Sequence, residues 1–460
     1  MISMKRRTRQ PLVLFTIMFA AIAGSAALAQ LAQPAQPAQT VAIRNVRIFD
    51  GDKVIESGVV VFGEGRILDV GPSVAIPRGA SVIDGTGKTL IPGLIDAHVH
   101  FSGSFEKYGA LALQQAAAYG ITTVQEMGGG ESAGKFQARL RKGEFPNAAD
   151  VFLGGGSPAQ VKTAADAEKM VAALAANGSD HLSEVGYGTL QEHYDFQVPP
   201  SEEVMRWIIE AGHRHGLVAA IHTMQQARGK LAVLNGADGL IHLSPYDPPD
   251  PDFGRFMVAH HAFQSTNTNN YAPTSYRAAM ANDPVWAPYF TAQSKNHWAN
   301  RPPIQDSRHA CSVLGLKVLK AAGAQVVAGT DIGFPYPPIL HVELMIFAKD
   351  AGFGPVDALK TATSASVDAY RIKDRGRIKP GLRADLVLIN GDPTTDITAT
   401  RLIDSVWVQG VKVDRLAATK LNSTLPEVTF MDQRNPGPRP TVEPNCSSAL
   451  IEKAMADQKQ

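Results

Sequence analysis

The spacing of apolar positions changes twice along this chain. Between residues 41 and 91, short runs such as VAIRNVRIFD alternate apolar with polar positions and are punctuated by Gly and Asp, which predicts antiparallel strands. From residue 92 onward, brief apolar runs alternate with longer stretches of helical period, a pattern typical of parallel strands covered by helices. The strand-like alternation returns in GRIKPGLRADLVLINGDP and LIDSVWVQGVKVDR. Two β segments are therefore expected to flank one α/β domain.

The central segment holds enough strand-helix repeats for a closed barrel. The α/β architecture that best accommodates them is a (β/α)8 barrel of the TIM type, expected over residues 92–372. Because chain ends commonly lie near each other, we expect 41–91 and 373–415 to form one small β-sandwich domain. Strands are predicted within 120–128, 150–155, 217–222, 239–244 and 324–331, and helices within 163–177, 201–215, 226–236 and 309–323.

One part of the central segment fits this rhythm poorly. Residues 245–308 are rich in Pro, Asp and Asn, so we expect one strand within 256–266 and a long loop or lid elsewhere. The C-terminal tail, 416–460, has no readable pattern, and no internal repeat is visible.

The N-terminus carries a targeting pattern. Four basic residues within the first nine precede an apolar run over 12–23, and Ala27-Leu28-Ala29 follows. This order predicts a signal peptide over 1–29, followed by a flexible linker over 30–40. A retained membrane anchor is the less favoured alternative, because the run is short for a bilayer and no basic flank follows it. We expect a periplasmic or secreted protein without a stable membrane anchor.

Composition narrows the range of functions. Apolar residues make up 44% and charged residues 19% of the 460 residues, which is typical of a soluble globular protein. The formal charge of +1 becomes slightly negative without the signal peptide, so nucleic acid is not an expected partner. Cys311 and Cys446 are too few for a disulfide framework or a cysteine-based zinc site. Export would allow them to pair, but we expect Cys311 to pack as a small apolar residue in a helix.

The most specific chemical feature is the segment GLIDAHVH. His98 and His100 lie two positions apart, so both side chains point to the same side of a strand. At the carboxyl end of a first barrel strand, that side is the catalytic mouth. Two imidazoles presented together suit a divalent cation. Such a pair alone is a weak signal, since chance pairs are common.

Three more ligand-type residues stand at the ends of later predicted strands. His222 closes LVAAIH, His242 lies at the end of GLIHLS, and Asp331 follows AQVVAGT. Each one alone is more simply a core residue. Five ligand-type side chains at the same end of parallel strands would converge in a closed barrel. The sequence therefore predicts a metal centre of His98, His100, His222, His242 and Asp331.

The order of PGLIDAHVH, the two later histidines, GTDIG and GRIKPGLRADLVLINGDP resembles the amidohydrolase superfamily over roughly residues 41–415. The nearest branch is the prolidase-like and imidazolonepropionase-like one. The resemblance implies a β-sandwich built from both chain ends and a barrel holding one or two divalent metal ions, often zinc. It also assigns the metal ligands: His98, His100 and Asp331 to the first metal, His222 and His242 to the second.

The chain departs from that family at the fourth barrel strand. Binuclear members of this branch usually bridge their metals with a carboxylated lysine, but Ser183 stands at that place, with Glu184 beside it. A glutamate can bridge two cations without modification, so Glu184 is our candidate, a barrel-wall carboxylate being the alternative. If Glu184 bridges, it should face the cavity while Ser183 points into the wall, because strand alternation forbids both from facing inward; the reverse arrangement would favour one metal. Without a bridge, we expect a single metal or an impaired enzyme.

The ligand set predicts hydrolysis of a C–N bond in a small amide, dipeptide or cyclic amide. A metal-activated water would attack the carbonyl carbon, with Asp331 as the general base. Tyr187 and His341 are candidates for substrate binding, with packing roles as their alternatives. Two other functions stay open. One is a mononuclear deaminase of a ring amine, disfavoured because Gln225 stands where an acid is needed; the other is a non-catalytic barrel used for binding. The substrate is expected to be a small molecule, and homo-oligomers stay possible.

Overall fold

The computed structural model describes residues 40–101, 105–186, 200–245, 248–300 and 306–417, together with Cys446. The predicted signal peptide, nearly all of the linker and most of the C-terminal tail lie outside these ranges. Within the described ranges, no helix combines the length and apolar character needed to cross a membrane.

The strands fall into three groups: one before the central domain, one within it and one after it. The first group is β1 (Val41–Phe49), β2 (Val54–Gly63), β3 (Arg66–Gly71), β4 (Ser81–Asp84) and β5 (Lys88–Pro92). The central group is β6 (Leu94–His100), β7 (Ile121–Glu126), β8 (Asp150–Leu153), β9 (His181–Gly186), β10 (Val218–His222), β11 (Gly239–Ile241), β12 (Phe263–Ser265), β13 (Val326–Val327) and β14 (Ile332–Gly333). The last group is β15 (Leu386–Asn390), β16 (Ile403–Val408) and β17 (Val411–Lys412).

The helices lie between the central strands and after them. Two begin at the side-chain caps expected of such sequences: Thr163 accepts a hydrogen bond from the Asp166 N–H, and Ser201 accepts one from the Val204 N–H. In chain order they are α1 (Phe105–Ala118), α2 (Glu131–Arg141), α3 (Ala164–Ala176), α4 (Glu202–Arg214), α5 (Gln226–Leu234), α6 (Phe253–Ala259), α7 (Thr274–Asn282), α8 (Ala292–Asn300), α9 (Asp306–Ala321), α10 (Leu340–Lys349), α11 (Pro355–Thr361) and α12 (Ser364–Ala369).

One sheet takes strands from both ends of the chain. Its order is β17-β16-β15-β5-β1-β2-β3, with β4 beside β1, and β15 pairs antiparallel with β5. The buried rings of Phe62 in β2 and Trp407 in β16 lie 5.5 Å apart, although three strands separate them in the sheet. Since neighbouring strands are about 4.8 Å apart, the sheet curls until its two halves enclose a common core. This is a small β domain of the kind that the sequence predicted.

The central strands form two parallel sheets, in the orders β14-β6-β7-β8 and β13-β12-β11-β10-β9. Helices follow most of these strands, so the domain is mixed α/β with helices covering parallel strands. The strands run in one direction, and their carboxyl ends meet at one edge. His222 at the end of β10, for example, is level with Gly186 of β9 and Ile241 of β11. That edge carries the candidate chemistry.

The prediction of a long loop over 245–308 is wrong. The segment contains β12, within the predicted 256–266, but also α6, α7, α8 and a 3-10 helix over Thr268–Tyr271. These helices are seven to nine residues long, too short to establish an apolar period among the Pro and Asn residues around them.

Cys311 is buried in α9 and forms a disulfide with Cys446. The expectation that Cys311 is an unpaired apolar residue is therefore corrected. The two cysteines are 135 positions apart in sequence, so the bond ties Cys446 to α9 of the central domain.

Candidate metal centre

Two imidazoles stand at the carboxyl end of β6. The Nε2 atoms of His98 and His100 lie 3.0 Å apart, while Val99 between them packs into the apolar core on the other side of the strand. The register of β6 against β7 shifts at this point, because Ala97 and His98 both lie opposite Gln125 of β7. His98 is fully buried and His100 partly exposed, so the pair lies between the core and the mouth.

Asp331 brings a carboxylate to the same point. Its Oδ1 atom lies 3.4 Å from Nε2 of His98 and 3.1 Å from Nε2 of His100. The approach depends on Gly329, since a Cβ there would lie 2.6 Å from the Cβ of His98. The Asp331 N–H then donates to the His98 carbonyl oxygen at 2.8 Å. Gly329 and Asp331 of the GTD sequence thus both have a structural role at this turn.

The two remaining predicted ligands lie beside this group. The ring centroid of His242 is 4.9 Å from that of His98, and the His222 ring is 4.4 Å from the His242 ring. The imidazoles of His100, His98, His242 and His222 therefore form a continuous row. The structure brings together all five residues that the strand-end argument selected.

Two of these residues have left-handed backbone conformations. The φ angles are 71° at His242 and 56° at Asp331. Residues other than glycine adopt this region at some cost, which surrounding contacts must offset, and such positions cluster at functional sites. The turn at each strand end aims a side chain into the mouth instead of continuing the strand.

Asp96, which sequence reasoning missed, joins the two ligand-bearing strands. Its buried carboxylate accepts hydrogen bonds from the His98 N–H, the Thr330 N–H and hydroxyl, and the Tyr336 hydroxyl. Burial raises the pKa of the Asp96 carboxyl to about 7, against the lowering effect of these hydrogen bonds. Asp96 stands two residues before His98 in GLIDAHVH, so its position in the motif was the available signal.

Asn267 and Asn270 were also missed. The side-chain Nδ2 of each lies 3.0 Å from Oδ2 of Asp331 and donates a hydrogen bond to it. Burial raises the pKa of the Asp331 carboxyl, but the nearby rings of His98, His100 and His242 outweigh burial and hold this pKa well below its usual range. Asp331 is therefore an ionised carboxylate. Both asparagines lie in the segment that we had expected to be a loop.

The pairing of β9 with β10 has an irregular register. Ser183 and Glu184 both lie opposite Ala220 of β10, because β9 has one extra residue there. Ser183 is buried on the same side as His181, and both side chains approach the position that a Cβ at Gly154 would take. The expectation that alternation turns Ser183 away is therefore corrected. The side chain of Glu184 and the whole of Tyr187 lie outside the described part of the chain.

His341 is not placed for substrate binding. Its Nε2 atom donates to the Tyr119 carbonyl oxygen at 3.0 Å, and Nδ1 lies 3.0 Å from the Thr400 hydroxyl, beside the β domain. Its ring packs against Trp286, with centroids 5.1 Å apart. Burial lowers the pKa of His341 to about 4, so the ring is neutral at pH 7. The packing alternative is the correct one.

The residues fit a divalent cation. Two ligands about 2.1 Å from a tetrahedral ion are separated by about 3.4 Å. The three separations among His98, His100 and Asp331 are 3.0, 3.4 and 3.1 Å, and all three ligand atoms lie within 4.8 Å of one another. Imidazole nitrogen and carboxylate oxygen are donors that several divalent ions accept. His98, His100 and Asp331 could therefore hold one ion.

Parallel strands under helices, a small β domain and a histidine-aspartate centre at the strand ends define a class of metal-dependent α/β hydrolases. The chain belongs to the amidohydrolase family, whose model matches residues 89–413. Its nearest branch is the prolidase-like and imidazolonepropionase-like one. Membership makes it a hydrolase acting on C–N bonds.

The chain is similar in sequence to a curated relative and in fold to solved structures. Imidazolonepropionase of Streptomyces griseus subsp. griseus is 24% identical over 405 residues, covering 78% of this chain and 93% of the relative. A. niger ochratoxinase has a similar fold, with a TM-score of 0.64 and 18% identity. The match covers 82% of this chain and 96% of the ochratoxinase chain. The structure of a Xaa-Pro dipeptidase with bound methionine matches with a TM-score of 0.63 and 18% identity. This match covers 81% of this chain and 99% of the dipeptidase chain.

Proposed function

We propose that this protein is a zinc-dependent hydrolase of a small amide, dipeptide or cyclic amide. The ion would be held by His98, His100 and Asp331, with His222 and His242 completing the centre. The observation that carries this proposal is the ligand spacing of 3.0 to 3.4 Å among the first three residues.

The catalytic chemistry is divided between the ion and Asp331. A bound divalent ion supplies an activated water and polarises the carbonyl of the substrate. Asp331, ionised and partly exposed at the mouth, accepts the proton of that water. It then passes this proton to the leaving nitrogen, so that the amine departs neutral.

A second ion would need a bridging ligand, and Glu184 stays our candidate. The extra residue in β9 supports it, since a bulge re-aims the side chains on either side of it. The burial of Ser183 beside His181 favours a single ion instead, since a serine on the cavity side leaves no carboxylate there to bridge two ions. Metal analysis of Glu184→Gln decides between these: a bridging Glu184 implies the loss of one bound ion, and a non-bridging one implies no change.

We also propose that the two parallel sheets close into one (β/α)8 barrel. Hydrogen bonds across both gaps support closure. Asp180 N donates to Leu153 O at 2.7 Å between β8 and β9, and Ala97 N donates to Ala328 O at 2.9 Å between β6 and the end of β13.

The function is tested by metal content and by substrate screening. We expect the purified, zinc-loaded protein to retain zinc through dialysis and to hydrolyse members of a panel of N-acyl amino acids, Xaa-Pro and Xaa-Arg dipeptides and cyclic amides. His98→Ala should lose zinc and turnover together, because a three-ligand site cannot lose its buried imidazole. His213→Ala, which removes an imidazole from the outer helix α4, is the control. A His98→Ala protein that kept its zinc would contradict the proposal, as would release of ammonia alone from a ring amine.

We further propose that the protein is exported and that its mature chain begins near Gln30. The Cys311–Cys446 disulfide supports this, since such bonds persist in oxidising compartments. N-terminal sequencing of the protein recovered from the periplasm or medium is expected to start at or near Gln30. Recovery of exported protein that still carries residues 1–29 would refute cleavage.

A further inference from the structure

Two carboxamides converge on one oxygen of Asp331. Nδ2 of Asn267 and Nδ2 of Asn270 each lie 3.0 Å from Oδ2. Each amide thus turns its nitrogen, the donor end, toward a carboxylate oxygen that accepts the hydrogen bond. This arrangement fixes the orientation of both side chains as well as that of the carboxylate.

The other oxygen of Asp331 is directed elsewhere. Oδ1 lies 3.4 Å from Nε2 of His98 and 3.1 Å from Nε2 of His100. The two oxygens therefore have separate partners, asparagine amides on one side and the imidazole pair on the other. We propose that Asn267 and Asn270 are positioning residues that orient Oδ2, so that Asp331 turns Oδ1 toward the metal ion. This inference rests on the metal centre described under the proposed function.

The segment that carries the asparagines is itself anchored. The buried carboxylate of Glu343 in α10 accepts hydrogen bonds from the Thr266 hydroxyl at 2.7 Å, the Thr268 N–H at 2.9 Å and the Asn269 N–H at 2.5 Å. Asn269 also donates from its amide to the Thr330 carbonyl oxygen at 3.0 Å. The backbone between β12 and α7 is thus tied to the residue next to Asp331.

Positioning matters because Asp331 stands on a turn. Its φ angle is 56° and its side chain is partly exposed, so regular strand pairing does not hold the carboxylate in place. Without its two donors, the carboxylate could rotate and bind an ion through both oxygens or turn toward solvent. Loss of groups that orient a metal ligand typically costs roughly 10-fold to 100-fold in metal affinity.

The test measures zinc affinity directly. Asn267→Leu and Asn270→Leu keep the approximate shape of the side chain and remove the donor, and each is expected to weaken zinc binding by roughly 10-fold to 100-fold. Affinity is measured by competition with a chromophoric chelator on metal-free protein. Asn282→Leu, the same substitution at an exposed position in α7, is the matched control and should leave the affinity unchanged. If the variant at the buried Asn267 does not fold, zinc affinity is measured on Asn270→Ala instead, because Asn270 is partly exposed.

A double-mutant cycle separates positioning from a general effect on structure. In an Asp331→Ala background, the asparagine substitutions are expected to cause no further loss of zinc affinity, because their target has been removed. An equal loss in that background would overturn the inference, as would unchanged zinc affinity in variants whose thermal midpoint has fallen. The assay needs no substrate. If no amide is hydrolysed while the cycle behaves as expected, the proposed reaction fails and this inference stands; a wild-type protein that binds no zinc overturns both.

Discussion

Asp331→Asn is expected to lower kcat/KM by about 10³-fold or more while leaving the protein folded. The substitution keeps the size of the side chain, and its amide oxygen can still accept from Asn267 and Asn270. An amide cannot accept the proton of the attacking water, and proton transfer by a positioned group contributes about 10² to 10⁴ in rate. The loss of negative charge beside His98 also weakens the ion's binding, which adds to the effect.

Steady-state kinetics on zinc-loaded protein, together with zinc content and the thermal midpoint, check this expectation. Asp404→Asn is a matched control, because the Asp404 side chain is also 22% exposed but pairs with Lys88 in the β domain. It should keep wild-type turnover. If Asp331→Asn turned over at the wild-type rate, Asp331 would be neither the base nor a required ligand, and the mechanism would be wrong.

The candidate ligands could be predicted from the sequence because their placement depends on local rules. A histidine pair two apart in a strand faces one way, and the ends of parallel strands meet at one edge. His98, His100, His222, His242 and Asp331 needed only these rules and the recognition of strands in the apolar pattern. The joining of the two β segments followed from similar reasoning about chain ends.

Other parts of the site depend on contacts that the sequence does not display. The positions of Asn267 and Asn270 rest on Glu343, more than 70 residues away, in a segment whose helices are too short to show a period. Ser183 shares one side of β9 with His181, two residues earlier, but the extra residue that shifts the register of β9 against β10 is not marked by any apolar pattern. His341 contacts Thr400, 59 residues further along the chain, so its position in a predicted helix does not indicate a packing role.

Cysteine pairing shows the same limit in another form. Two cysteines 135 positions apart carry no local signal of proximity, and their low number argued against a framework. The proposed export would place the chain in an oxidising compartment, where a close pair of cysteines forms a stable disulfide.

Asp150→Asn is expected to destabilise the protein by about 3–5 kcal/mol, the usual cost of removing one partner from a buried ion pair. Asp150 begins β8 and is 5% exposed. Its Oδ2 atom accepts from Arg375 at 2.9 Å and from Arg383 at 2.8 Å. Both arginines lie on the segment that leads into β15, so this carboxylate joins the central domain to the β domain.

The environment of Arg375 explains the size of this effect. Its side chain is 4% exposed, its guanidinium lies over the Phe152 ring, 5.0 Å from the centroid, and it also donates to the Thr123 hydroxyl. Without the charge of Asp150, a buried cation would depend on Asp385 at 3.8 Å and on Asp374, whose side chain is half exposed. Arg383 keeps its bond to Asp385, so the larger part of the loss falls on Arg375.

Thermal and urea unfolding of Asp150→Asn measure the loss, with Asp52→Asn as the control. Asp52 also pairs with an arginine, Arg377, but is 60% exposed, and exposed pairs contribute about 0–1 kcal/mol.

Burial raises the pKa of the Asp150 carboxyl, but Arg375 and Arg383 outweigh burial and hold this pKa below its usual range. A carboxyl whose pKa is lowered by folding stabilises the protein above its unfolded pKa of about 3.9, and this contribution is lost as the pH falls through the folded value. The difference in unfolding free energy between wild type and Asp150→Asn should therefore be constant near neutral pH and shrink below about pH 4.

Because Asp150 lies at the start of β8, away from the strand ends that carry the metal centre, kcat of the folded variant should match wild type. A change in kcat without a change in stability would mean that this ion cluster acts on the site rather than on the joint between the domains.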